Sequence, residues 1–313
     1  MTLTPEIYGK VAVVMGGDSS EREVSLHSGE AILNALVNVG IDAHAFDPSE
    51  QPLTDLRDQE FDRVFIALHG AMGEDGVLQG TLSMMKMPFT GSNMLASAIG
   101  MDKVRSKLIW KALGLDVIPG TAIEADETVD EERAEYLLEK YGPRLMVKPA
   151  SEGSSIGMAI CDNIEAIVIA VEVAKEYSER VIIETLMTGP EYTVAILGNR
   201  CLPAIRIEPE HEFYDYSAKY EADSGTHYYC PCGLSIEDED ELQVTALKAF
   251  MAVGCSGWGR VDFMFDENSQ RMHLMELNTV PGMTETSLVP KAADAEDISF
   301  EELCLSILDT SLE

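Results

Sequence analysis

Residues 10–39 read KVAVVMGGDSSEREVSLHSGEAILNALVNV, and this stretch decides the fold class. Lys10 to Met15 is a β-rich run that ends in Gly16-Gly17. A polar turn follows, and then a helical segment with Ile32, Leu36 and Val39 on one face. The order is strand, glycine turn, helix. Arg63 to Leu68 repeats it, ending in His69-Gly70, with a helix from about Val77 to Met85 and a short segment at Pro88-Phe89-Thr90-Gly91. Alternating strands and helices of these lengths predict an α/β protein that opens with a parallel sheet covered on both faces.

Working outward, a helix from Lys103 to Leu113 leads into a second unit. There a strand at Arg144 to Lys148, a Ser/Gly loop, a returning strand at Met158 to Cys161, a helix from Ile164 and a strand at Arg180 to Glu184 predict a small flap-like domain. The remainder mixes strands at Glu191 to Leu197, Gly259 to Phe265 and Met272 to Leu277 with helices near Glu239 to Val253 and Ser299 to Leu308. The expected division is 1–102, 103–184 and 185–313, with a long polar loop at 209–231 in the last part that reads as a lid. No internal repeat or low-complexity segment interrupts the chain.

The 313 residues are 46% hydrophobic and 25% charged, within the range of folded soluble domains. The balance of 55 acidic against 22 basic residues, a net charge of -33, argues against a nucleic-acid partner and against anionic membranes. Any polyanionic ligand must therefore be met by a few lysines and arginines gathered at one site. The polar start and the short apolar run Val11 to Met15 fit neither a signal peptide nor a membrane span, so the expected location is cytoplasmic. Six scattered cysteines suggest free thiols in a reducing compartment. His227, Cys230 and Cys232 are too tightly spaced for a structural zinc site.

Three polar residues interrupt the late apolar strands: Asp262, Glu276 and Asn278. Glu276 and Asn278 sit two apart and project to one face, and a neighbouring strand carrying Asp262 adds a third oxygen ligand. Such a hard all-oxygen set suits magnesium with nucleotide phosphates. Three further stretches can bear on chemistry. Lys148 ends a strand just before Pro149-Ala150-Ser151-Glu152-Gly153-Ser154-Ser155-Ile156-Gly157, a loop able to wrap an anion beside a fixed cation. It lacks the P-loop order, and Gly16-Gly17-Asp18-Ser19 lacks the dinucleotide fingerprint. Glu21 lies in the crevice beyond the first parallel strand, where it could hold a substrate ammonium, although a solvated turn residue reads the same way. Lys219 and Tyr220, in the candidate lid, could reach a γ-phosphate and exclude water.

Taken in order, these motifs resemble the D-alanine:D-alanine ligases of the ATP-grasp superfamily. The matching elements are Gly-Gly-Asp-Ser-Ser-Glu-Arg-Glu-Val-Ser from 16, Leu-His-Gly-Ala-Met-Gly-Glu-Asp-Gly from 68, Met-Asp-Lys from 101, Gly-Pro-Glu-Tyr-Thr-Val from 189, Phe-Tyr-Asp-Tyr-Ser-Ala-Lys-Tyr from 213, Gly-Trp-Gly-Arg-Val-Asp from 257 and Glu-Leu-Asn-Thr-Val-Pro-Gly-Met-Thr from 276. They cover nearly the whole chain.

The resemblance implies a three-domain ATP-grasp fold, with ATP between the second and third domains. It implies that Lys103, Lys148, Ser154 and Ser155 meet the phosphates, with Glu184 near the adenine and Glu191 on the ribose. Asp262, Glu276 and Asn278 would hold two magnesium ions, or manganese in their place. Glu21 and His69 would receive the first D-alanine. Arg260 and the Gly282 N–H would steady an oxyanion, while Ser287 and Leu288 would take the second D-alanine. Lys219 would reach the γ-phosphate, and Tyr220 would meet Glu21 and Ser154. The activity implied is ATP-dependent formation of D-alanyl-D-alanine through a D-alanyl phosphate, for peptidoglycan synthesis, by a homodimer. Two departures stand out: Thr185-Leu186 where many members carry a Lys beside the adenine, and Ala150-Ser151 where Ser-Arg is usual. Two other readings stay open: an ATP-grasp ligase with a D-serine or D-lactate acceptor, and a non-catalytic ATP-binding protein.

Overall fold

The computed structural model describes residues 4–153, 156–209 and 225–312. Strand β1 (Lys10–Val14) lies between β2 (Asp42–Phe46) and β3 (Arg63–Ile66), and both pairings are parallel. Val11 to Val14 are fully buried, because helices cover both faces of a parallel sheet and leave no polar alternation. Helix α1 (Arg22–Asn38) returns from β1 and buries Ile32 and Leu36. Helices α2 (Asp55–Asp58), α3 (Val77–Met85) and α4 (Met94–Met101) complete this part of the chain. Segment 88–91 is an added edge, bridged from Phe89 to Val64 of β3.

Helix α5 (Lys103–Ala112) starts at Asp102, whose side chain accepts the N–H groups of Val104 and Arg105 and so satisfies two orphan donors. The same carboxylate pairs with Arg180 at 2.5 Å, which ties the start of the helix to the next sheet. That sheet runs β4-β7-β5-β6, from β4 (Gly120–Ile123), β7 (Val181–Thr185), β5 (Leu145–Pro149) and β6 (Ala159–Cys161), all antiparallel. Helices α6 (Glu131–Tyr141) and α7 (Ile164–Lys175) close its own core around Leu137, Val147, Val171 and Ile183. Strands β5, β6 and β7 and helix α7 stand where the sequence predicts them; β4 and α6 are additions.

The third sheet runs β11-β10-β8-β12-β13, with β9 (Arg200–Cys201) on β8. Its members are β8 (Glu191–Leu197), β10 (Ile205–Glu208), β11 (His227–Tyr229), β12 (Trp258–Asp266) and β13 (Arg271–Asn278), again antiparallel throughout. Val194, Ile196, Val261, Phe263 and Leu274 turn one face into a core against α8 (Ile236–Ala252). The intervening residues, Arg260 and Asp262 among them, face the other way.

Beyond β13 the chain returns to where it began. Val280 and Met283, helix α9 (Leu288–Asp294) and helix α10 (Phe300–Asp309) pack into the core of the first sheet, with Leu303, Ile307 and Leu308 fully buried. Arg63 donates to Ser311 at 2.9 Å, and the Tyr8 hydroxyl bonds to Asp309. Among the described residues no helix is long and apolar enough to cross a membrane.

Candidate active site

The register of β12 on β13 sets Asp262 opposite Glu276 and Arg260 opposite Asn278. Directly opposed residues share a face, as do residues two apart on one strand, so four polar side chains converge there. Asp262 is 1% exposed and both its oxygens accept hydrogen bonds. Arg260 grips it with Nε–Oδ1 2.8 Å and Nη2–Oδ2 2.7 Å, Thr193 Oγ1 donates at 2.6 Å and Asn278 Nδ2 donates at 2.8 Å. Because Asn278 spends its amide nitrogen on Asp262, its oxygen is turned away from that bond. Two carboxylates and an amide oxygen on adjacent strands are a donor set that fits a hard divalent cation. Among the described residues no three His, Cys, Asp or Glu side chains form a metal cluster of their own.

Two cavities meet at this face. The larger, about 810 Å³, runs from Glu21, His69 and Glu74 past Arg260 and Asn278 to Gly282, Ser287 and Leu288. The smaller, about 140 Å³, is lined by Lys148, Glu184, Glu191, Leu186 and Met264. Lys103, Glu152, Gly153 and Glu276 line both. Lys103 Nζ donates to the Glu152 carbonyl at 2.7 Å and lies 3.3 Å from Glu276, so a buried cation sits at the junction.

Glu21, just ahead of α1, is 7% exposed and fits between two glycines. A Cβ at Gly70 would lie 2.6 Å from its Oε2 and one at Gly153 would lie 2.9 Å away, so side chains there would collide with the carboxylate. Glu74, which the sequence reading did not single out, is buried beside it and accepts the Gly70 N–H at 3.0 Å. Burial, and then the nearby Glu21 charge, pushes the Glu74 carboxyl up to about 8, so it is protonated at neutral pH.

His69 lines the larger cavity, but both its ring nitrogens are committed. Nδ1 lies 2.9 Å from the Val280 carbonyl and must donate to it; Nε2 then accepts from Ser28 Oγ at 3.1 Å. Ser28 Oγ in turn accepts the Met283 N–H at 3.1 Å. Burial lowers the His69 pKa, in keeping with this neutral tautomer. The chain His69–Ser28–Met283 therefore anchors the turn that carries Gly282. Ser287 precedes α9, and its Oγ accepts the Thr284 N–H at 3.0 Å.

In the smaller cavity the Glu184 carboxylate lies between two buried lysines. Lys148 Nζ is 2.7 Å from Oε2, and Lys107 bonds Oε1. Burial opposes the Glu184 charge, but the two lysines outweigh it and hold its pKa below the ordinary value. Lys148 is likewise raised against burial by Glu184, Glu276 and Glu191, whereas burial brings Lys107 down to about 7. Lys107, too, is not among the residues the sequence singles out. Its spacing of four from Lys103 on a predicted helix was the available signal, since it puts both lysines on one face. Ser154, Ser155, Lys219, Tyr220 and most of the expected lid lie outside the described residues.

A parallel α/β unit followed by two antiparallel sheets that enclose a lysine-lined cavity is the arrangement of the ATP-grasp ligases. Family models described as D-ala D-ala ligase C-terminus and N-terminus match residues 109–309 and 42–92. A D-alanine--D-alanine ligase of Idiomarina loihiensis is 50% identical over 306 residues, covering 98% of each chain. The crystal structure of a D-alanine--D-alanine ligase from Bacillus anthracis complexed with ATP superposes with a TM-score of 0.83 at 32% identity, covering 97% of each chain. The VanG D-Ala:D-Ser ligase from Enterococcus faecalis superposes with a TM-score of 0.81 at 28% identity, covering 96% of this chain and 99% of that one. The chain belongs to the D-alanine–D-alanine ligase family.

Proposed function

We propose that this protein joins two D-alanine molecules at the expense of ATP, giving D-alanyl-D-alanine, ADP and phosphate for peptidoglycan synthesis. One observation carries the reading: a cavity bearing buried lysines and a cavity bearing a buried Glu21 share the wall made by Lys103, Glu152, Gly153 and Glu276. A phosphoryl group handed from one ligand to the other must cross such a junction.

In this reading the nucleotide occupies the smaller cavity, with Lys103, Lys148, Ser154 and Ser155 on its phosphates, Glu184 near the adenine and Glu191 on the ribose. Lys219 approaches the γ-phosphate from the lid. Glu21 holds the ammonium of the first D-alanine and is the partner assigned to Tyr220 together with Ser154, and His69 lines the same cavity. The γ-phosphoryl group moves to the first D-alanine's carboxylate, breaking its bond to ADP and forming an acyl phosphate. The second D-alanine, seated at Ser287 and Leu288, attacks with its deprotonated amine. Arg260 and the Gly282 N–H hold the negative charge that gathers on the carbonyl oxygen until phosphate leaves. Asp262, Glu276 and Asn278 would hold magnesium, or manganese, which supplies charge neutralisation on the phosphates.

We assign residues 1–102 to substrate binding and residues 103–184 and 185–313 to the two ATP-grasp units of a cytoplasmic homodimer. The test of the activity is ADP production that depends on D-alanine, repeated with Glu276→Gln. Turnover by the unaltered protein and loss of it in the variant are expected; equal rates would remove the metal assignment, and no D-alanine-dependent ADP would favour a non-catalytic nucleotide binder. Product analysis with D-serine and D-lactate as acceptors tests the remaining alternative, since the D-Ala:D-Ser ligase shares this fold.

A further inference from the structure

Lys107 is 3% exposed, an unusual place for an ammonium group, and it lines neither cavity. It reaches Glu184 from behind, from α5, while Lys148 reaches the opposite carboxylate oxygen from β5 on the cavity side. All three groups are at least 96% buried as side chains, with exposures of 4%, 2% and 4%. A buried ion is stabilised only by close partners, so the charges must be counted together. Within this triad one carboxylate shared by two lysines leaves one positive charge, and around it Glu191 and the Lys103–Glu276 pair complete the charged wall of the cavity. A lone Lys148–Glu184 pair would leave none, with the carboxylates of Glu276 and Glu191 also acting on Lys148.

We propose that Lys107 is a positioning residue for nucleotide binding: by taking one oxygen of Glu184 it keeps that carboxylate from neutralising Lys148, so that Lys148 presents its charge to a polyphosphate. The inference rests on the reading that the smaller cavity takes a nucleotide. It separates the phosphate-binding function of the cavity from its adenine-binding function. Because Glu184 itself stands near the adenine in that reading, the quantity that isolates Lys107 is the ratio of ADP to adenosine affinity.

The experiment is calorimetric binding of ADP with magnesium, and separately of adenosine, at about pH 6.5, to the whole protein. The variants are Lys107→Met and Lys107→Met combined with Glu184→Gln. Removing one unit charge that acts on the cavity through Glu184 and Lys148, at an effective dielectric of about 20, is worth roughly one power of ten in affinity. Lys107→Met is therefore expected to lower the ratio of ADP to adenosine affinity about tenfold. In the double variant the carboxylate charge is gone as well, and the ratio of ADP to adenosine affinity returns to within about threefold of the unaltered protein. Unchanged ADP binding by Lys107→Met, equal loss of ADP and adenosine, or no recovery of the ratio in the double variant would each overturn the proposal. If Lys107→Met does not fold, the ratio in the double variant decides alone. Failure of the unaltered protein to bind ADP would instead remove the nucleotide reading beneath it.

Discussion

Arg260 and Asp262, two residues apart on one strand, grip each other through paired bonds of 2.8 and 2.7 Å, with the carboxylate almost wholly buried. A planar guanidinium held in this fork has a fixed orientation, which is how arginine stabilises developing charge without reorganising.

Arg260→Met should therefore cut kcat by a factor of about 100 or more, while the KM for ATP changes only a few-fold. It also leaves a buried carboxylate short of its cation, which costs roughly 3 kcal/mol of stability. Steady-state kinetics and thermal unfolding measure the two effects. Adding Asp262→Asn should return much of the stability and none of the rate. If the rate returns as well, the arginine serves only to neutralise Asp262.

The Glu74 carboxyl makes stability depend on pH in a definite sense. Its pKa rises from 4.5 to about 8 on folding, through burial and the proximity of Glu21. The folded state thus keeps a proton that the unfolded chain releases. Its contribution is fully present below pH 4.5 and is lost as pH rises to about 8. Relative to the unaltered protein, Glu74→Gln should unfold at a progressively higher temperature as pH increases across this window. A constant difference between the two melting curves at all pH values would contradict the burial of an ionisable proton there.

Ser28 does not itself line either cavity, yet it accepts the Met283 N–H and meets His69. Ser28→Ala leaves a buried N–H without its acceptor, at a cost of about 1–3 kcal/mol, and loosens the turn bearing Gly282. The expected kinetic signature is a several-fold higher KM for D-alanine with an unchanged KM for ATP. Equal changes in both would point to general destabilisation instead.

Removing divalent cations with a chelator should abolish turnover, and magnesium or manganese should restore it. Asn278→Ala should raise the magnesium concentration needed for half-maximal rate by about tenfold or more, because it removes one oxygen donor and a bond that orients Asp262. Rates plotted against free magnesium give the answer directly, and an unshifted curve would exclude Asn278 from the cation site.

What could be read from the sequence was what depends on near neighbours. Glu276 and Asn278 share a face because strands have a period of two, and the fully apolar run at Val11 to Val14 signals a strand buried on both sides. Glu74 and Lys107 were not legible in this way. Their neighbours in the chain suggest solvated positions; burial comes from elements far away, with Glu184 lying 77 residues from Lys107. Strand β4 was missed because Gly120–Ile123 is short and becomes a strand only by pairing with β7. Nor did any local pattern reveal that Val280, Met283 and α10 belong with the first sheet, because an amphipathic helix does not specify which core it will join.

That last arrangement bears on the order in which the protein can be made. Helix α10 supplies Leu303, Ile307 and Leu308 to the core built on β1 and β3. A nascent chain emerging from the ribosome holds β1 long before these side chains exist. The segment that carries β1 stays partly uncovered until α10 is made, while the four-stranded sheet between them, with a core of its own, can close during translation.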